Sequence, residues 1–157
     1  MNNGKKIQLK LFDTAGQERY NSLSKSYFRN ADAVLFVYAI NNIKSFENLI
    51  DWIKVFMENH DGRKDIPIYL IENKNDLNRE IEENLIDDFL DKYNFKFKSI
   101  SAKLNEDNSI NQLFLELSEL LYTNYKKSGK DEKTQKSLKV YNFKKKQRCN
   151  CNGILFI

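Results

Sequence analysis

Cysteine, proline, glycine and histidine are all scarce in this chain. Its 157 residues include two cysteines, one proline, five glycines and one histidine. Cys149 and Cys151 sit two apart at the end of a polar stretch, so no disulfide framework holds the fold, and a reducing compartment fits. The glycines are Gly4, Gly16, Gly62, Gly129 and Gly153. No pair has the Gly-x-x-x-x-Gly-Lys-Ser/Thr spacing, so these residues contain no phosphate-cradling loop of that type. No apolar run reaches the ~20 residues needed to span a bilayer, and no signal-peptide pattern opens the chain, which therefore reads as cytoplasmic. His60 and Trp52 have no motif around them. His60 reads as a surface residue at a helix end and Trp52 as helix packing.

What is present is enough for one domain and a tail. Hydrophobic residues make up 41% of the chain, sufficient for a core. Charge is unevenly placed. Residues 126–148 carry ten Lys/Arg against two acids, whereas residues 1–125 carry 16 against 20. A slightly acidic globule with a cationic tether is expected, not a nucleic-acid-binding domain.

The hydrophobic pattern alternates between strands and helices. Ile7–Phe12 alternates apolar and polar residues, as a half-buried strand does. Ser22–Asn30 reads as a short helix. Ala33–Ile40 is near-continuously apolar, the pattern of a parallel strand buried on both faces. Ser45 is positioned to cap a helix running to Asn59, with Phe46, Leu49, Ile50, Ile53 and Phe56 or Met57 inward. Pro67 opens a strand over Ile68–Glu72. Glu80–Tyr93 and Ser109–Tyr125 read as amphipathic helices around the strand Lys96–Ile100. The order predicts an α/β fold with a mainly parallel sheet.

Chemistry concentrates at three places. Asp13-Thr14-Ala15-Gly16-Gln17-Glu18 follows the first strand, at the sheet edge where open α/β folds bind ligands. There Asp13 can hold Mg²⁺ through water, and Gly16 lets a backbone N–H approach a phosphate. Gln17 stands where an amide could orient a water. Asn73-Lys74-Asn75-Asp76 and Ser101-Ala102-Lys103 follow later strands. Both stretches are polar and lie where a strand gives way to a loop. Read without the rest, each is a polar loop of ordinary composition.

Together these motifs resemble the Rab branch of the Ras-like small GTPases, and Ser26-Tyr27-Phe28-Arg29-Asn30-Ala31 resembles the Rab segment after switch II. The likeness covers Ile7 to about Tyr125. It implies a three-layer Ras-like G domain over residues 1–125 that binds GTP or GDP with Mg²⁺ and hydrolyses GTP as a switch in vesicle traffic. Gln17 would be the catalytic residue, positioning water. Gly16, Asn73, Lys74, Asp76, Ser101, Ala102 and Lys103 would bind nucleotide, Asn73 would tie neighbouring loops together, and Asp13 would serve the metal. Effectors, an exchange factor, a GTPase-activating protein and a GDP-dissociation inhibitor are the implied partners. Phe12, Tyr20, Tyr27 and Phe28 would flank the effector face, with core packing the better reading for Phe12 and Phe28. Glu72, where many relatives carry a small residue, would crowd or repel the nucleotide.

The resemblance also implies parts that are absent from these residues: the first two strands, the phosphate loop, the first helix and switch I. In the Ras-like fold the phosphate-loop strand lies between the strand ending in Asp13 and the Ala33–Ile40 strand. Without it, two strand edges would lack partners, and the chain alone is expected to be marginally stable and catalytically impaired. A nucleotide-independent interaction module is the rival expectation. Residues 126–157 read as a basic, unstructured tail. Its Cys149-Asn150-Cys151, after Lys144-Lys145-Lys146-Gln147-Arg148, resembles a Rab geranylgeranylation end, although six residues follow Cys151. Lipid at both cysteines would place the protein peripherally on the cytosolic face of endomembranes.

Overall fold

The computed structural model describes residues 7–13, 28–63, 65–104, 108–128 and 153–156. In chain order these form β1 (Phe12–Asp13), β2 (Val34–Ala39), α1 (Ile43–Asn59), β3 (Ile68–Asn73), α2 (Glu83–Tyr93), β4 (Lys96–Ile100), α3 (Ser109–Lys127) and β5 (Gly153–Phe156). The sheet order is β1-β5-β2-β3-β4. β2, β3 and β4 are parallel, with Val34 opposite Ile68 and Tyr69 opposite Lys96. β5 runs antiparallel to both of its neighbours.

The apolar run at β2 is buried on both faces, as its composition predicts. Alternate residues feed two clusters. Val34, Phe36 and Tyr38 join Phe46, Leu49, Ile53 and Phe56 of α1 and Ile86 and Phe89 of α2. Ala33 and Leu35 point the other way, to Leu113 and Leu117 of α3. Helices on both faces of a largely parallel sheet make this a three-layer α/β fold. Phe56 holds the first cluster together, edge-on to Phe28 and Phe36 at centroid distances of 6.0 and 6.1 Å.

Several boundaries differ from the sequence expectations. Only Phe12–Asp13 of the first segment is strand, because a strand exists only where a neighbour offers a ladder, and β5 pairs with two residues there. Asn42 caps α1, not Ser45. Asn42 Oδ1 accepts from the Ser45 N–H at 3.2 Å, while the buried Ser45 Oγ accepts from the Ala39 N–H at 2.9 Å. The choice of inward residue near the end of α1 falls on Phe56, since Met57 and Ile50 are exposed. Glu80–Glu82 precede α2, and Ile81 is buried ahead of it. Asn94, in the left-handed region at φ 52°, ends α2. Trp52 packs against the first cluster, and His60 caps the C-terminus of α1. Phe28 is fully buried and Phe12 half-buried, as core packing requires.

β5 is the largest departure. The far end of the stretch read as an unstructured tail is a strand, and it lies between β1 and β2. That is the position the resemblance assigns to the phosphate-loop strand. Residues 129–152 lie outside the described residues. Among the described residues no helix is long and apolar enough to cross a membrane.

Candidate functional site

The C-terminal ends of β3 and β4 carry two loops that the structure joins. Asn73 closes β3 and is buried. Its Oδ1 accepts from the Lys74 N–H at 2.8 Å and from the Ala102 N–H at 3.0 Å, so one side chain bridges both loops. The Asn75 N–H donates to the Ile100 carbonyl at 3.2 Å, a second tie. Ser101 donates its hydroxyl to Asp76 Oδ1 at 2.6 Å and accepts from the Leu104 N–H at 3.2 Å.

Lys74 sits in the left-handed region, φ 63°, unusual for a residue with a Cβ. The Asn73 bond to its N–H and the Leu77 N–H to its carbonyl, 2.9 Å, hold it there. Strain of this kind persists only where surrounding bonds over-determine the backbone.

The loop pair presents an acceptor. Asp76 is half-buried, fixed through one carboxylate oxygen, and its other oxygen has no protein partner among the described residues. Asn73, Lys74, Asp76, Ser101 and Ala102 are thus brought together by hydrogen bonds within one pair of loops. Lys103 is in the same turn, exposed.

Asp13 lies elsewhere. Through β5 it is level with Leu35, and through β2 with Tyr69, four residues short of Asn73. Three strand spacings and four residues of rise separate Asp13 from Asn73 by roughly 20 Å. Asp13 is exposed, and among the described residues no group of three or more His, Cys, Asp or Glu could hold a metal ion. A Mg²⁺ ion carried by a nucleotide needs only one or two protein carboxylates, with water and phosphate oxygens completing its shell, and Asp13 would be such a carboxylate. Gly16, Gln17, Tyr20, Tyr27, Cys149 and Cys151 lie outside the described residues.

Beneath the Asn73 loop is a polar cluster that sequence reasoning missed. Glu72 is fully buried, and its carboxylate accepts from Arg79 Nη1 and Nη2 at 2.7 and 2.9 Å, from the Tyr38 hydroxyl at 2.8 Å and from Ser99 Oγ at 2.8 Å. Burial, and then the bond to Glu72, push the Tyr38 hydroxyl well above the ordinary phenol range. Burial works against the Arg79 cation, but the hydrogen bonds to Glu72 together with the attraction of the Glu72 charge outweigh it and raise its affinity for its proton. Glu72 therefore does not confront a ligand as an unpaired charge. The available signal was an acid inside an apolar strand, which requires a cation nearby.

A family model described as "Ras: Ras family" matches residues 1–123. The chain belongs to the Ras family. It is a Rab-like member. It is 33% identical over 126 residues to Ras-related protein Rab-5B of Plasmodium falciparum, covering 80% of this chain and 59% of that one. It is 32% identical over 152 residues to Ras-related protein Rab-13 of Rattus norvegicus, covering 94% and 73%. Against Ras-related protein SEC4 of Candida albicans it is 32% identical over 120 residues, covering 75% and 55%. The Rab-like chain thus spans 55% of the SEC4 relative's length.

Proposed function

We propose that this chain carries the guanine-binding part of a Rab-type molecular switch, binding GTP and GDP, hydrolysing GTP and acting in vesicle traffic. The observation that carries the reading is the Asn73 side chain bridging the Lys74 and Ala102 amides, which makes two loops one rigid edge. Asp76 accepts from the base N1–H and 2-amino group, and Ser101 holds its carboxylate in place. The Lys74 stem covers the base plane. An adenine ring offers a lone pair at N1 where guanine offers a donor, so an acceptor carboxylate at Asp76 selects guanine. Gly16 approaches the terminal phosphate and Gln17 orients the attacking water. Asp13 serves the phosphate end, and its separation from Asn73 suits an elongated ligand with its base at one end.

Competition titration with a fluorescent guanine nucleotide tests this. GDP and GTP should displace it, ATP should not, and Asp76→Asn should weaken binding at least tenfold. Failure of both guanine nucleotides to bind would sink the reading.

A second reading, an interaction module that works without nucleotide, is favoured by one observation: β5 stands where the phosphate-loop strand is expected. Under either reading, the basic run Lys144–Arg148 with lipid at Cys149 and Cys151 would hold the protein on anionic membrane. Mass spectrometry of the protein from cells would show prenyl adducts at these cysteines.

A further inference from the structure

Glu72 and Arg79 stand at the two ends of the loop that carries the base-side residues. Glu72 lies next to the end of β3 and Arg79 precedes α2, with Asn73-Lys74-Asn75-Asp76-Leu77-Asn78 between them. Their two hydrogen bonds, 2.7 and 2.9 Å, therefore close that loop at its base. The backbone is tied at the same two points. The Ile40 N–H donates to the Asn73 carbonyl, and the Glu80 N–H donates to the Ile40 carbonyl, both at 3.0 Å. Entry and exit of the loop are thus anchored side by side at the end of β2.

The same anchor reaches the second loop. Tyr38, Glu72 and Ser99 are level with one another across β2, β3 and β4. The Tyr38 and Ser99 hydroxyls both donate to the Glu72 carboxylate, at 2.8 Å each. This row lies one residue before Asn73 and two before Ser101, whose hydroxyl holds Asp76. A shift of β3 against β4 would part Asp76 from Ser101, and Asn73 from the Ala102 N–H.

Stability alone does not account for the arrangement. Glu72 is fully buried, and the cost of desolvating its charge offsets much of the attraction to Arg79. An apolar pair of similar volume commonly stabilises a fold as well or better. What an apolar pair lacks is direction. A guanidinium fork meets a carboxylate in one plane with two parallel bonds, whereas methylene groups can slide past one another. The loop above needs direction. Lys74 is held at φ 63°, and Ser101 fixes the Asp76 carboxylate through one oxygen only. Reading two N–H groups of a base with one carboxylate requires placement to within about 0.5 Å.

We propose that Glu72 and Arg79 are positioning residues for base recognition: their pair, braced by Tyr38 and Ser99, sets the place of Asp76 and with it the discrimination of guanine from a purine that lacks the 2-amino group. The inference rests on the guanine reading above and adds the device that orients its acceptor. Both residues act through the loop.

Competition titration of the full chain with GDP and inosine diphosphate tests it, because hypoxanthine keeps the N1–H and lacks the 2-amino group. The parent should prefer GDP by about fiftyfold, the effect of one charge-assisted hydrogen bond. Arg79→Lys keeps the charge and loses the fork, and its preference should fall below about fivefold. Tyr38→Phe, Glu72→Leu and Arg79→Met together replace the cluster by apolar side chains of similar size. That triple variant should melt near the parent and show the same lost preference; a role confined to stability would leave the preference intact. Hydrogen exchange without nucleotide gives a second readout. The Asn75 and Leu77 amides, bonded to Ile100 and Lys74, should exchange about tenfold faster in both variants, with Leu70 in β3 unchanged. Equal binding of GDP and inosine diphosphate by the parent, or a parent-like preference in Arg79→Lys, would overturn the inference and leave selection of guanine over adenine standing. A parent that binds neither nucleotide would overturn the guanine reading and the inference with it. If the triple variant does not fold, Arg79→Lys decides.

Discussion

Arg79 grips Glu72 through both guanidinium ends, at 2.7 and 2.9 Å, and so brings a fully buried carboxylate under the Asn73 loop. Tyr38 from β2 and Ser99 from β4 complete the set, so one acid on β3 is tied to both neighbouring strands. Removing the cation alone leaves an uncompensated buried charge. Arg79→Met should therefore destabilise the fold by about 3 kcal/mol, the low end for a broken buried pair because Arg79 is about one-third exposed. Glu72→Gln with Arg79→Met should recover part of that loss. Denaturant unfolding of both variants checks it.

Glu116 of α3 makes the corresponding tie on the other face, accepting from Tyr69 at 2.9 Å and pairing with Lys98 at 2.8 Å. The Lys98 bond, then the Tyr69 hydroxyl, hold its carboxyl below the ordinary glutamate value. A carboxylate depressed by folding stabilises the native state above its unfolded value, and the gain is lost as pH falls through the folded value. Glu116 is partly exposed, so solvent screening limits the gain to about 0.5 kcal/mol. Glu116→Gln should remove this acid-side loss of stability while leaving neutral-pH folding nearly intact. Melting curves from neutral to acid pH would show the two proteins converging as pH falls.

Asn73→Ala would strip the Lys74 and Ala102 amides of their shared acceptor. Lys74 is half-buried and Ala102 exposed, so water can replace the acceptor in part and the loss should be about 1 kcal/mol. The two loops should then open, visible as faster hydrogen exchange at Ala102, and guanine nucleotide affinity should fall with them.

Phe56→Ala would empty the centre of the first core cluster, where the ring touches Phe28, Phe36 and His60. The expected loss is about 4 kcal/mol. Met57→Ala, one residue on but exposed, should change stability by less than about 0.5 kcal/mol. Unfolding both variants side by side tests which face of α1 is buried.

Local sequence was a good guide where a local rule governs. β2 was legible from its apolar run, and α1 and α3 from apolar spacing, because burial on two faces or on one stripe leaves a periodic trace. The Asn73 bridge was expected only through the resemblance, since by composition the stretch is an ordinary polar loop. The N-cap was not: Asn42 and Ser45 are both good caps, and only the backbone path out of β2 chose between them. Glu72 was misread for a similar reason. Whether a strand residue faces a ligand or a neighbouring arginine depends on which element passes over it.

By itself, then, the sequence determined β2, β3, β4 and the three helices, their alternation and the polar loops after β3 and β4, because propensity and periodicity act over a few neighbouring positions. The tertiary structure decided pairing. Nothing near Gly153–Phe156 specifies a neighbour; β1 and β2 are more than a hundred residues away, and only the folded sheet brings the three strands side by side. The same holds for Arg79 and Glu72, seven residues apart, whose pairing follows from the turn between β3 and α2 and from the burial of the Glu72 carboxylate.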